Sequence, residues 1–191
     1  NAQLSDLNLV ALYTCPWPGQ GFYFNKAVNS SKDTQGIKFR SYNSATATFA
    51  EELGMVPVQV EAAELSQALA TGVAESFISS GSTGYDRKVW EHLSHYYKVN
   101  AWLPRNYVMV NKGVWEGLNS DMKGAVQKAA DETGAACSAK SAELASWYFE
   151  QLEANGMAVE DASPEFLAEL QAIGAKMTAD WLASAGADGQ A

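Results

Sequence analysis

The chain has 191 residues, enough for one substantial core or for one domain plus pieces of another. Apolar residues make up 47% of it and charged residues 18%, which excludes a disordered tract as its main character. Its formal net charge of -9 comes without any lysine–arginine cluster, so a nucleic-acid partner is not expected, whereas a small anion held by one buried arginine is compatible.

No run of about 18 apolar residues is present, so no membrane-spanning helix is predicted. The opening Asn1-Ala2-Gln3-Leu4-Ser5 lacks the basic start and apolar core of a signal peptide, and there is no initiating methionine. That pattern reads as a processed chain or a fragment. Cys15 and Cys137 are too far apart in sequence for a metal knuckle, and the sequence neither requires nor forbids a bond between them.

Leu9 to Tyr13 is a short apolar run stopped by Pro16 and Pro18, which predicts a buried strand. Gly19 and Gly21 with Trp17, Phe22, Tyr23 and Phe24 predict a turn and a short strand, and aromatic rings beside glycines suit a ligand wall. In Gly36 to Arg40, Ile37 and Phe39 alternate with Lys38 and Arg40, the period-2 pattern of a strand with one face on a core. Ala45 to Leu53 has helical spacing with Gly54 as its C-terminal stop, and Met55 to Val60 alternates as a strand. Glu61 to Ala70 reads as a second helix closed by Thr71-Gly72, Val73 to Ile78 as a strand, and Ser79 to Gly84 as a flexible polar loop.

Strand, helix, strand, helix, strand with short connections is the βαβ signature of a parallel or mixed sheet. Right-handed crossovers then bring the strand ends at Arg40, Val60 and Ile78 to one edge, with Arg40, Tyr42, Asn43, Gln59, Ser79, Ser80 and Ser82 around it. An arginine among hydroxyls and amides suits a carboxylate, because the guanidinium fork takes both oxygens.

Beyond this edge, Tyr85 to His95 reads as a helix, and Tyr97 to Trp102 and Asn106 to Asn111 as strands split by Pro104. Lys112 to Leu118 forms a short helical turn. Asn119-Ser120 opens a long helix over about 121–154 with Asp121 in its first turn, ended by Asn155-Gly156. Met157 to Glu160 is a short edge strand. Ser163-Pro164 starts the last helix, and Ser184 to Ala191 is expected to fray.

Catalytic and metal motifs are sparse. His92 and His95 lack a third ligand at a recognised spacing, no glycine-rich phosphate loop is present, and Ser79, Ser80 and Ser82 have no histidine placed to activate them. No metal or cofactor is expected. A small-molecule transferase or hydrolase on the same α/β platform is the alternative reading, and it needs a general base that the sequence does not display. The long helix alone supports a third reading, a structural or assembly module.

Asp33-x-x-Gly36-Ile37-Lys38-Phe39-Arg40, then Leu53-Gly54-Met55-Val56-Pro57-Val58 and Glu64-Leu65-x-x-Ala68-Leu69-Ala70-Thr71-Gly72-Val73, resembles the dicarboxylate-binding type (DctP-like) of solute-binding subunit from tripartite ATP-independent periplasmic (TRAP) transporters. Val110-Asn111-Lys112-x-x-Trp115-x-x-Leu118 and the alanine-rich long helix fit the same pattern, so the likeness runs from about residue 23 to about 160. It implies a periplasmic-binding-protein-like (type II) α/β fold, with a mixed sheet, flanking helices and a long interlobe helix. It also implies a periplasmic protein, its signal peptide removed, that captures a small organic acid for a sodium-driven TRAP membrane permease.

By this resemblance Arg40 is the carboxylate clamp. Ser79 stands where an asparagine is common, and Gln20 stands in the region where some members carry a second basic contact, so recognition by two arginines is not implied. The candidate ligand set is therefore Arg40, Tyr42, Asn43, Ser79, Ser80 and Gln20, with Trp17, Tyr23 and Trp102 as apolar walls. The family pattern divides the chain into a partial first lobe with linking strands (1–30), a ligand-binding second lobe (31–98), crossover strands with the long helix (99–154), and a C-terminal strand and helix (155–191). The opening strands of the first lobe have no match, so a missing N-terminal lobe or self-association is expected.

Overall fold

The structure, a computed structural model, describes residues 2–190. In chain order it contains α1 (Ala2–Asp6), β1 (Leu9–Pro16), β2 (Gln20–Phe24), β3 (Lys38–Ser41), α2 (Ser44–Glu52), β4 (Val56–Gln59), α3 (Leu65–Ala70) and β5 (Ser76–Ser79). There follow α4 (Gly81–Asp86), β6 (His95–Trp102), β7 (Arg105–Asn111), α5 (Lys112–Gly117), α6 (Ser120–Ala154), β8 (Ala158–Glu160) and α7 (Pro164–Ala185). The chain divides into two compact units, Asn1–Pro18 with Leu103–Trp147 and Gly19–Trp102 with Tyr148–Ala191.

In the first unit β1 and β7 pair antiparallel, and the register shifts between Ala11 and Tyr13. Every residue of β1 is only half-buried, where the apolar run predicted a buried strand; a two-stranded ribbon leaves much of each face uncovered. The α6 helix is held against this ribbon at two points. Tyr13 packs on Gly134, and one turn further along Cys15 is disulfide-bonded to Cys137 with their Cα atoms 5.6 Å apart. Strand spacing i, i+2 and helix spacing i, i+3 put both contacts on one strand face and one helix face.

The second unit is built on a six-stranded mixed sheet in the order β4-β3-β5-β2-β6-β8. Strands β3, β4 and β5 run parallel, as the βαβ pattern predicted. The β2 strand lies between β5 and β6 and is antiparallel to both, so its first residues meet the last residues of its neighbours: Gly21 faces Ser79, and Gln20 faces Trp102. Gly21 is needed here because a Cβ would collide with the Tyr97 carbonyl oxygen, so the close backbone approach is to β6.

Both sheet faces are covered. On one, Phe22, Phe39, Phe49, Ile78 and Phe166 join residues of α2 and α7; on the other, Tyr23, Phe77, Leu65, Val89, Tyr96 and Leu152 form a second cluster. Each such fully buried large side chain contributes about 1.5–3 kcal/mol of transfer free energy. The α7 start is fixed by Ser163, whose Oγ accepts from Phe166 N with Pro164 behind it. Glu169 ties the helix to the turn between β2 and β3 by accepting from Ser31 N and Oγ at 2.6 and 2.9 Å.

Three local expectations fail. The predicted 85–95 helix is replaced by α4, a 3-10 turn at Val89–Glu91 and the start of β6 at His95. Two of its apolar residues, Val89 and Leu93, enter the second core cluster, and its last residue, His95, already begins β6. His92 and His95 therefore share no helix face. The Ser79–Gly84 loop is instead the end of β5 and the start of α4. At the C-terminus α7 continues to Ala185 and a 3-10 turn covers Gly186–Gln190, in place of a frayed tail from Ser184; Ala191 lies outside the described residues.

Candidate functional site

The sequence alternation suggested that Arg40 shares a wet face with Lys38. In the structure Lys38 is exposed at the start of β3, but Arg40 is only 5% exposed. Arg40 pairs in register with Phe77, and Phe77 belongs to the second core cluster. The covered face thus reaches the C-terminal end of the strand.

The guanidinium is held there by two contacts. Its Nε donates to the Val60 carbonyl at 2.8 Å, and its carbon lies 5.2 Å from the centre of the Tyr42 ring. No ion pair joins Arg40 to a carboxylate among the described residues. Burial lowers its pKa, and the fields of Tyr42 and Glu61 oppose that shift. Arginines are seldom this buried unless paired.

The Tyr42 hydroxyl in turn donates to Gln20 Oε1 at 2.8 Å. Gln20 is brought to this edge by the antiparallel β2. Arg40, Tyr42 and Gln20 therefore form one connected set at the edge where β3, β4 and β5 end.

The other predicted residues fall in different places. Ser79 and Ser80 lie at the same edge, but their hydroxyls are engaged locally: Ser79 Oγ donates to Thr83 Oγ1 at 2.7 Å, and Ser80 Oγ is 2.7 Å from Ser82 Oγ. Asn43 caps α2, its Oδ1 accepting from Thr46 N at 2.9 Å in a reciprocal capping box. Trp102 ends β6 opposite Gln20 and meets Phe49 edge-on at 4.9 Å, where it lines an apolar groove of about 480 Å³ between β6 and α7. Tyr23 is fully buried, stacked on Phe77 at 4.3 Å, and its hydroxyl donates to the Ser80 carbonyl. It is a core residue here and not an open wall. Trp17 belongs to the first unit and is 44% exposed.

Sequence reasoning did not find the Val60 carbonyl or Thr83. A backbone acceptor leaves no side-chain signal, and Thr83 sat in what read as a loop. Among the described residues no group of three or more His, Cys, Asp or Glu is placed to hold a metal ion, and no helix is long and apolar enough to cross a membrane.

A cation at the C-terminal edge of a largely parallel sheet, ion-paired to no carboxylate among the described residues, is arranged to hold an anion. The family model for bacterial extracellular solute-binding proteins, family 7 (DctP), matches residues 16–184. The chain belongs to this family. DctP-family chains of known structure share its fold. A TRAP solute-binding protein from an unidentified marine metagenome microbe, specific for pyroglutamate and solved with that compound co-purified, is 85% identical with a TM-score of 0.96. The match covers 100% of this chain and 62% of that one. A Bordetella pertussis extracytoplasmic solute receptor binding pyroglutamic acid is 42% identical with a TM-score of 0.96, over 99% of this chain and 63% of its own.

A Shewanella oneidensis TRAP periplasmic solute-binding protein with bound succinate, 21% identical with a TM-score of 0.89 over 98% of this chain and 63% of its own, shares the fold. This DctP-family chain thus spans somewhat under two thirds of the length of these structures. The mixed α/β architecture and long helix read from the sequence are those of TRAP periplasmic solute-binding proteins.

Proposed function

We propose that the protein containing this chain is a periplasmic solute receptor that captures a small organic acid, pyroglutamate, and presents it to the membrane permease subunits of a sodium-driven TRAP transporter. The observation that carries the reading is the buried Arg40, which forms no ion pair and whose Nη1 and Nη2 have no hydrogen-bond partner among the described residues. A ligand carboxylate takes those two donors through a bidentate pair and supplies the missing counter-charge. Pyroglutamate is favoured within the acids because similar structures at 85% and 42% identity are described with it.

In this reading the sheet carrying Arg40 is the ligand-binding lobe, largely the region 31–98, and Trp102 is a candidate apolar wall. The ligand is bound and released unchanged. Only the population of the ligand-bound conformation, which the permease recognises, responds to it.

Calorimetry on the full-length protein tests the clamp. Arg40→Met keeps the apolar stem and removes the charge, and should weaken pyroglutamate binding by at least about 100-fold. Retained affinity in that variant would reject the assignment. Turnover of any acid or ester by the wild type would point to the enzyme reading instead.

A further inference from the structure

Tyr42 touches both groups that face the ligand edge, Arg40 through its ring and Gln20 through its hydroxyl. Gln20 is 8% exposed, and its one side-chain hydrogen bond uses the carboxamide oxygen. The amide nitrogen, with two N–H groups, has no partner among the described residues. Yet among those residues the buried side-chain polar atom left unpartnered is Ser76 Oγ, so Gln20 Nε2 is not sealed in the interior. The Nη atoms of Arg40 likewise keep some contact with solvent.

This edge therefore offers a charged fork and a neutral amide N–H pair that have no partner of their own among the described residues. Tyr42 links the two, its ring against the fork and its hydroxyl proton on Gln20 Oε1. The sheet's other basic side chains are engaged elsewhere: Lys38 Nζ donates to the Gly72 carbonyl at 3.0 Å, and Lys98 lies 3.6 Å from Asp161. A second carboxylate on the ligand would thus lie against a neutral amide with no counter-charge, and removing it from water is costly. A ring carbonyl needs only a donor, and Gln20 Nε2 is one.

We infer that Gln20 is a specificity-determining residue that reads a neutral carbonyl on a monocarboxylate, and that Tyr42 is the positioning residue holding its amide nitrogen outward. The inference rests on the carboxylate-capture reading above. For pyroglutamate it assigns Gln20 to the ring C=O and leaves the ring N–H unread at this point.

The test is calorimetry on the full-length protein with three neutral-ring acids and one diacid. Pyroglutamate and 5-oxotetrahydrofuran-2-carboxylate keep the ring carbonyl, tetrahydrofuran-2-carboxylate lacks it, and glutarate carries a second carboxylate. In the wild type the two carbonyl-bearing acids should bind at least about tenfold tighter than the other two. Gln20→Met and Tyr42→Phe should each lower pyroglutamate affinity by about 5- to 30-fold and leave tetrahydrofuran-2-carboxylate within about twofold. Gln20→Lys should shift preference toward glutarate.

Equal losses for pyroglutamate and tetrahydrofuran-2-carboxylate in both variants would overturn the inference, as would wild-type glutarate binding as tight as pyroglutamate. If the wild type binds none of the four acids, the capture reading itself falls, and this inference with it.

Discussion

Arg40 keeps its charge in surroundings that work against it. Burial lowers its pKa, but a guanidinium remains protonated across the pH range in which the protein is folded. Its identity as a strand residue was legible from the Ile37-Lys38-Phe39-Arg40 alternation. Its burial was not, because alternation gives the side-chain direction and says nothing of what covers the second face. Asp33 is the residue where pH matters most clearly. Its carboxylate accepts from Asn29 N at 2.9 Å and Ser30 N at 3.2 Å, and these backbone donors hold its pKa below the usual carboxylate value. A depressed folded pKa gives stability that is present above the unfolded value, about pH 4, and lost as pH falls through the folded value. Asp33→Asn should therefore flatten the acid side of the melting-temperature profile below about pH 4. An acid limb as steep as the wild type's would remove Asp33 from that role.

Among the elements, helix ends were the most legible features. Gly54 and Gly156 stop α2 and α6 in left-handed conformations, and Ser163-Pro164 opens α7. These signals sit in the residues themselves. The β2 strand was harder: Gln20 to Phe24 reads as a strand, but nothing local shows that it runs antiparallel between β5 and β6, and only that placement brings Gln20 to the Arg40 edge. Asn43 shows the reverse ambiguity. As a polar residue after the strand it suited a ligand donor, and in the structure its side chain is used by α2. Asn43→Ala should lower unfolding free energy by about 1–2 kcal/mol, measured by urea denaturation. Carboxylate affinity should stay within about twofold, since no charged contact is removed. A large affinity loss without a stability loss would make Asn43 a ligand contact instead.

For the molecule as a whole, the sequence left the cysteines undecided, because their pairing depends on β1 and α6 packing side by side in the first unit. The bond closes a sequence separation of 122, for which the chain-entropy model gives roughly 4–5 kcal/mol. Reduction should accordingly lower the thermal midpoint by more than about 10 °C, read by differential scanning calorimetry with and without reductant. An unchanged midpoint would mean the ribbon and helix hold without it. Such a bond persists in oxidising surroundings, which agrees with an extracytoplasmic family.

The second unit draws its sheet from two distant stretches of chain. Phe22 of β2 meets Phe166 of α7 with ring centroids 6.1 Å apart, and Leu152, Met157 and Phe166 are all core. The last sheet strand, β8, pairs with β6 only after the whole of α6 has intervened. During synthesis, therefore, the aromatic residues of β2 emerge long before the side chains that bury them. The unit closes late, and until its final quarter is made the nascent chain offers Phe22 and Phe24 to whatever protects unfolded polypeptide.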